Sequence, residues 1–248
     1  MNCGILDMLF MSSIRLLLGS GGHVPPDRRH ALVHEIQDFL GKSVQTCLFV
    51  PYAHDKKTWA IAREEYYELG FNAGYDLDPI SEHENQIEAV RSATAFYFDG
   101  GNTFRLLKTL YDLNIFEEIK KKIISGTPFI GLSAGANIVC PSIRTTNDMP
   151  IVIPPTLDAM NLLPFQINTH YVDMMADPSY RAETRSIRIH EFQEENDFVV
   201  VGLREGAILR REGDNLFLRG TNGARIFEKG KMPKDVLPED PVDFLLRK

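Results

Sequence analysis

One pentapeptide in this chain has the residue types and spacing of an activated nucleophile. Gly131-Leu132-Ser133-Ala134-Gly135 is a G-x-S-x-G element, lying between the apolar run Phe129 to Leu132 and the helix-compatible run Ala134 to Val139. In that setting the serine occupies a strained strand-to-helix turn that thrusts its Oγ out of the sheet, and the small flanking residues leave room for the turn. The next N–H, that of Ala134, would stand at a helix N-terminus facing developing negative charge. Ser133 is therefore the candidate nucleophile. Taken alone, the pentapeptide equally fits a plain small-residue turn that packs a helix on its strand.

A serine nucleophile needs a general base. Of the seven histidines, His30 and His34 lie four apart on a helix, but the zincin pattern requires a third histidine where Asp38 stands, so a solvated helix face is expected. His170 closes the apolar strand Phe165-Gln166-Ile167-Asn168-Thr169-His170 and so falls at a strand's carboxyl end, as Ser133 does. It is the candidate base, although a histidine there can also be a satisfied structural residue. The group that orients it could be Asp148 in Arg144-Thr145-Thr146-Asn147-Asp148-Met149-Pro150, or Glu205 in Gly202-Leu203-Arg204-Glu205-Gly206. Asp148 preserves the hydrolase order Ser, acid, His, whereas Glu205 directly follows a strand; spacing does not decide between them. Gly100-Gly101-Asn102 also ends a strand before a helix, so Gly101 N–H could share an oxyanion with Ala134 N–H.

These residues must be held by a scaffold, and the hydrophobic pattern describes one. Apolar runs at Ile14 to Leu18, Thr46 to Val50, Phe71 to Asp76, Thr94 to Phe98 and Phe129 to Leu132 read as strands. Between them, helical spacing follows Pro25-Pro26-Asp27, runs from Lys56 to Leu69 and from Asn85 to Ala93, and continues from Phe104 to Ile124 until Gly126 and Pro128. Further on, Phe165 to Asn168 and Phe198 to Gly202 read as strands and Glu183 to Phe192 as a helix. Ala207 to Phe227 reads as short strands turning at Gly213-Asp214-Asn215 and Thr221-Asn222-Gly223, expected as hairpins at the sheet's edge. The expectation is an α/β fold with a doubly wound, mainly parallel sheet flanked by helices, ligands binding beyond the strands' carboxyl ends. No linker or repeat divides residues 1–248, so a single domain is expected, with residues 1–13 a loosely ordered extension.

Composition narrows the function. A net charge of −7 offers no field for a polyphosphate, so nucleic acid is not expected as a partner. Cys3, Cys47 and Cys140 are odd in number and far apart, against a disulfide scaffold or structural zinc. No apolar run nears the roughly 20 residues of a membrane span. The first ten residues carry Asp7 but no Lys or Arg, unlike a signal peptide. A soluble cytoplasmic protein without membrane or metal is expected.

Assembled, the motifs resemble the peptidase E family of α-aspartyl dipeptidases, serine peptidases distantly related in fold to class I glutamine amidotransferases. The resemblance rests on Gly100-Gly101-Asn102-Thr103-Phe104, Gly131 to Asn137, Ile143 to Val152, Gln166 to His170, Glu183-Thr184-Arg185 and Gly202 to Gly206, in family order. It implies hydrolysis of dipeptides with an N-terminal aspartate, Asp-Xaa, with no cofactor and a small peptide as partner. By position it makes Ser133 the nucleophile, His170 the base and Glu205 the orienting acid, with Asp148 kept as a site residue. Gly101 and Ala134 become the oxyanion donors, and Arg185, with Asn102 beside it, the substrate contacts. A guanidinium fork suits a carboxylate and would be left unpaired by a neutral side chain, which would supply the specificity. Three departures touch the site: Thr169 stands where relatives have proline, Asp99 where a third glycine is common, and Ala176 to Arg181 is longer than in bacterial relatives.

Three rivals remain. Cyanophycinase-like cleavage of β-aspartyl polymers would use a similar elbow but an open groove. An amidotransferase-like binding protein without catalysis would keep the superfamily's cysteine, which Ser133 replaces. Dinucleotide binding through Gly19-Ser20-Gly21-Gly22-His23-Val24 fails because Val24 stands where Gly or Ala is required, so this stretch is expected as a tight turn.

Overall fold

The structure is a computed structural model, and it describes residues 13–173 and 183–247. The expected loose extension and the expected lengthening at Ala176 to Arg181 fall outside the described residues, apart from Ser13. The chain forms β1 (Arg15–Gly19), α1 (Pro26–Leu40), β2 (Thr46–Val50), α2 (Trp59–Glu68), β3 (Asp76–Pro79), α3 (Gln86–Ser92), β4 (Phe96–Phe98), α4 (Thr103–Asp112), α5 (Phe116–Ile124), β5 (Phe129–Leu132) and α6 (Ala134–Asn137). It continues through β6 (Gln166–Tyr171), α7 (Arg185–Glu195), β7 (Val200–Arg204), β8 (Ala207–Glu212), β9 (Asn215–Gly220), β10 (Ala224–Phe227) and β11 (Lys234–Val236).

A seven-stranded sheet runs in the order β3-β2-β4-β5-β1-β8-β9. Its first five strands are mutually parallel, and β8 and β9 add an antiparallel hairpin at the edge. Alternation sorts the strand side chains into two layers. Leu16, Leu18, Leu48, Val50, Phe96, Phe98 and Phe129 face the layer that holds Leu106 and Ile119 of α4 and α5. Leu17, Cys47, Phe49, Tyr97 and Ile130 face the layer that holds Leu32, Ile36 and Ala62 of α1 and α2. Helices on both faces explain why these strands are continuous apolar runs.

The remaining strands form a second sheet, β11-β10-β7-β6, with β6 and β7 parallel. Ile167, Val201, Leu203 and Ile226 join the main core, while Tyr171, Val200 and Phe227 pack on Ile189 of α7. The expected edge hairpins therefore divide: β8 and β9 extend the main sheet, and β10 leaves it to pair with β7. Two other elements differ from expectation. The third strand begins at Asp76 because Ala73 and Gly74 take positive φ, 55° and 92°, and turn the chain. The helical stretch to Ile124 is two helices because Asn114 adopts φ 55° between them. The carboxyl ends of β1, β2, β4 and β5 all lie on one side of the parallel sheet, which gathers the loops that follow them.

Candidate active site

Ser133 is delivered by backbone geometry. In register, Gly131 lies between Leu18 of β1 and Phe98 of β4, and a Cβ on it would run into the backbone of Gly135. Ser133 itself has φ 52° and ψ −107°, a left-handed conformation that costs an L-residue energy and is kept only where its surroundings enforce it. They do: Ser133 N–H donates to Gly19 O at 2.9 Å, and its carbonyl accepts from Ala136 and Asn137 at 2.9 and 3.0 Å.

His170 reaches Ser133 from the other sheet. The register of β6 against β7 shifts between Asn168 and Tyr171, and within that bulge His170 takes φ 52°. Its Nε2 lies 2.7 Å from Ser133 Oγ and its Nδ1 2.7 Å from Glu205 Oε1. A proton on Nδ1, held by the carboxylate, leaves Nε2 as an acceptor for the serine hydroxyl. Glu205 and Gly206 are the whole connection between β7 and β8. The Glu205 carboxyl is held below its ordinary range, chiefly by the His170 hydrogen bond and against the opposing effect of burial.

Asp148 is occupied elsewhere. Its Oδ2 accepts from Thr103 N–H at 2.7 Å and from the hydroxyls of Thr103 and Thr146 at 2.5 and 2.9 Å, which anchors its loop to the start of α4. The same loop is laced to β6: Thr145 Oγ1 donates to Ile167 O, and Asn147 Nδ2 donates to Thr169 O. Asn137, one turn past Ser133, reaches the hydroxyls of Thr103, Thr146 and Thr169 at 3.3 to 3.5 Å. Thr169, in place of the expected proline, thus supplies a polar partner where proline has none.

Gly100 lies against Ser133, and among the described residues the N–H groups of Gly101 and Ala134 have no acceptor. Asn102 caps α4 by accepting from Arg105 N–H at 3.0 Å and donates to Met149 O at 2.8 Å, so its side chain joins the loops around the site. Arg185 begins α7 behind the capping Thr184. It is half-buried and has no hydrogen bond or ion pair among the described residues; its pKa is lowered by burial and by Arg188, while the Asp148 charge acts the other way.

Sequence reasoning missed the floor of the site. Ser20 accepts from His170 N–H at 2.9 Å and donates to Leu203 O at 2.7 Å, pinning the bulge. Gly21 has φ 132° and its Cα abuts the His170 ring, so a Cβ there would overlap the imidazole, while Gly22 abuts Glu205 in the same way. His23 behind them is buried and its pKa falls to about 4 through loss of hydration, so it stays neutral. The signal was visible as the Gly19-Ser20-Gly21-Gly22 turn; its packing partners, some 150 residues away, were not. His30 and His34 are exposed. Among the described residues no group of three His, Cys, Asp or Glu side chains could hold a metal ion, and no helix is long and apolar enough to cross a membrane.

The family model described as Peptidase family S51 matches residues 16–219. The chain belongs to peptidase family S51. Among S51 relatives, it is 37% identical to "Peptidase E" of Nostoc sp., over 96% of this chain and 98% of that one. It is 36% identical to a "Probable alpha-aspartyl dipeptidase" of Drosophila melanogaster, over 98% of each chain. In fold, it is similar to a crystal structure of a peptidase from an acI-B1 actinobacterium, with a TM-score of 0.68 at 16% identity, covering 94% of this chain and 99% of that one. The S51 chain described here is a peptidase, and its α/β architecture is that of its structural neighbours.

Proposed function

We propose that this S51 peptidase is a serine-dependent dipeptidase that hydrolyses Asp-Xaa through an acyl-enzyme on Ser133. The observation that carries the reading is the continuous chain Ser133 Oγ, His170 Nε2, His170 Nδ1, Glu205 Oε1, with 2.7 Å at each polar contact. Ser133 Oγ attacks the carbonyl carbon of the substrate aspartate as its proton passes to His170 Nε2. The resulting oxyanion is held by the Gly101 and Ala134 amides. On collapse of the intermediate His170 gives the proton to the leaving nitrogen, and the free Xaa departs. Water then attacks the ester with His170 again taking the proton, the acyl–Oγ bond breaks as His170 returns that proton to Ser133 Oγ, and aspartate leaves. Glu205 holds the imidazole in the productive tautomer and stabilises the imidazolium.

Arg185 reads the aspartate side chain. A half-buried guanidinium without an ion-pair partner among the described residues gains from a substrate carboxylate, which a neutral side chain would not supply. Asp148, close enough to act on Arg185 electrostatically, positions the loop over α4 and tempers that charge. The similarity to the "Probable alpha-aspartyl dipeptidase" of Drosophila melanogaster supports the substrate class.

The test is hydrolysis of Asp-Leu beside Asn-Leu, Leu-Leu and a β-aspartyl dipeptide, with wild type and Ser133→Ala, in the presence of a chelator. Cleavage of Asp-Leu alone, abolished in the variant, is expected. Preferential cleavage of the β-aspartyl dipeptide, or full activity in Ser133→Ala, would sink the reading.

A further inference from the structure

The turn after β4 contains a buried charge that the proposed chemistry does not use. Asp99 is 2% exposed and immediately precedes the Gly100-Gly101 pair, at the position where the family resemblance leads to an expectation of glycine. A carboxylate beside the proposed oxyanion donors is unfavourable twice over: it has lost its hydration, and it repels the negative charge that develops in the transition state.

The surroundings answer both difficulties. Oδ1 of Asp99 accepts from Gly100 N–H at 2.5 Å and from the Tyr66 hydroxyl of α2, so the carboxylate ties down the first residue of the turn. Oδ2 lies 2.7 Å from Nε2 of His54, which comes from the loop after the neighbouring strand β2 and keeps about a third of its side chain exposed, 34%. The same loop holds the far side of the turn, because Ala53 O accepts Asn102 N–H at 2.9 Å. Two loops are therefore stitched together on either side of Gly101, with a buried anion at one stitch and an imidazole facing it.

We infer that His54 is the counter-ion that allows Asp99 to clamp the Gly100-Gly101 turn without opposing the charge formed there, which makes His54 and Asp99 a positioning pair for the oxyanion side of the site. The inference rests on the acyl-transfer reading of Ser133. The charged groups around His54 accord with it. Its pKa is raised, first by the hydrogen-bonding interaction with Asp99 against the effect of burial, with Glu65 of α2 raising it further and Arg105 of α4 lowering it. Burial pushes the phenols of Tyr66 and Tyr97, which flank Asp99, well above their ordinary value, so neither adds charge. As pH rises through the raised His54 value, the imidazolium is lost and the carboxylate stands uncompensated. Turnover then falls on an alkaline limb.

The experiment follows kcat for Asp-Leu and the rate of Ser133 labelling by a fluorophosphonate across pH, in wild type, His54→Gln, Asp99→Gly and the double variant. The His54 ring is titrated by NMR, its resonance being the one missing from His54→Gln. His54 is expected to titrate above its ordinary value of about 6.5 in wild type and to fall back in Asp99→Gly. His54→Gln should slow kcat and labelling on the order of ten- to thirty-fold, the size of one unit charge at this range, with KM within about twofold and no alkaline limb. The double variant should be faster than His54→Gln, because it removes the uncompensated carboxylate, and slower than wild type, because the clamp on Gly100 is lost. Normal titration of His54 in wild type, or a double variant as slow as His54→Gln, overturns the inference. If His54→Gln does not fold, Asp99→Gly decides alone: it should label Ser133 without an alkaline limb, and a retained limb overturns the inference. Labelling that follows the expected pattern without cleavage of Asp-Leu removes the substrate reading and leaves the positioning pair; absence of Ser133 labelling removes both.

Discussion

The two halves of the site are held by different means. The seven-stranded sheet delivers Ser133 from a strand buried on both faces, where glycine spacing, one strained residue and main-chain hydrogen bonds to Gly19, Ala136 and Asn137 set its position. The four-stranded sheet delivers His170 from a bulge, held by Ser20 from below, with Asn147 and Asn137 on the carbonyl and hydroxyl of the preceding Thr169. Ser133 is placed by the backbone, and His170 by side chains borrowed from distant segments. A site of the first kind should tolerate changes around it until the elbow itself is altered; one of the second should lose precision by degrees.

Removing the member placed by the backbone should do most. Ser133→Ala is expected to lower kcat by about 10³-fold or more while the protein stays folded, measured by Asp-Leu hydrolysis beside circular dichroism. On the other half, Glu205→Gln should lower kcat roughly 10²- to 10⁴-fold, because the imidazole loses its tautomer control. Asp148→Asn should cost much less in kcat but about 1 to 3 kcal/mol in stability, since its carboxylate satisfies two donors at the start of α4 and one in its own loop. Denaturant titration separates the two, and equal kcat losses with equal stability would overturn the distinction between them.

A gentler probe is Gly21→Ala, which alters no polar group but forces a methyl toward the His170 ring. A displacement on the order of 1 Å predicts a kcat loss of about 10²-fold. Unchanged kcat would show that the base does not depend on the Gly21 loop.

The smallest effect concerns pH. The folded Glu205 carboxyl is held below its unfolded value, so its contribution to stability is present above the unfolded pKa and lost as pH falls through the folded one. The melting temperature of wild type should therefore drop further between about pH 6 and pH 3 than that of Glu205→Gln. Parallel curves would separate Glu205 from the stability of the second sheet.

The contrast also explains what could be read from the residues alone. Ser133 was legible because a strand, two glycines and a short helix are local features, and so was the layer order, which follows from alternating apolar residues. The start of β3 was not, because Phe71 looks like strand until the turn at Ala73 and Gly74 is known. The division of the late strands between two sheets was not legible either: Val200 to Leu203 has the same alternating character in either sheet, and pairing with β10 rather than β1 is a long-range choice. Glu205 and Asp148 were left equal by spacing, and the comparison with a known family favoured Glu205; their different hydrogen-bond partners belong to the folded chain alone.

The two-residue passage from β7 to β8 has a consequence for traffic through the site. Glu205 and Gly206 alone join the sheets there, Gly206 N–H is tied to Gly21 O at 2.9 Å, and two residues reach no further than about 7 Å when fully extended. At this point the sheets cannot part like jaws, since the strap that would have to stretch carries the Glu205 carboxylate held against His170. On the proposed reading, peptide arrives over the rim, where Ser133 and His170 are half-exposed, and product leaves by the same doorway.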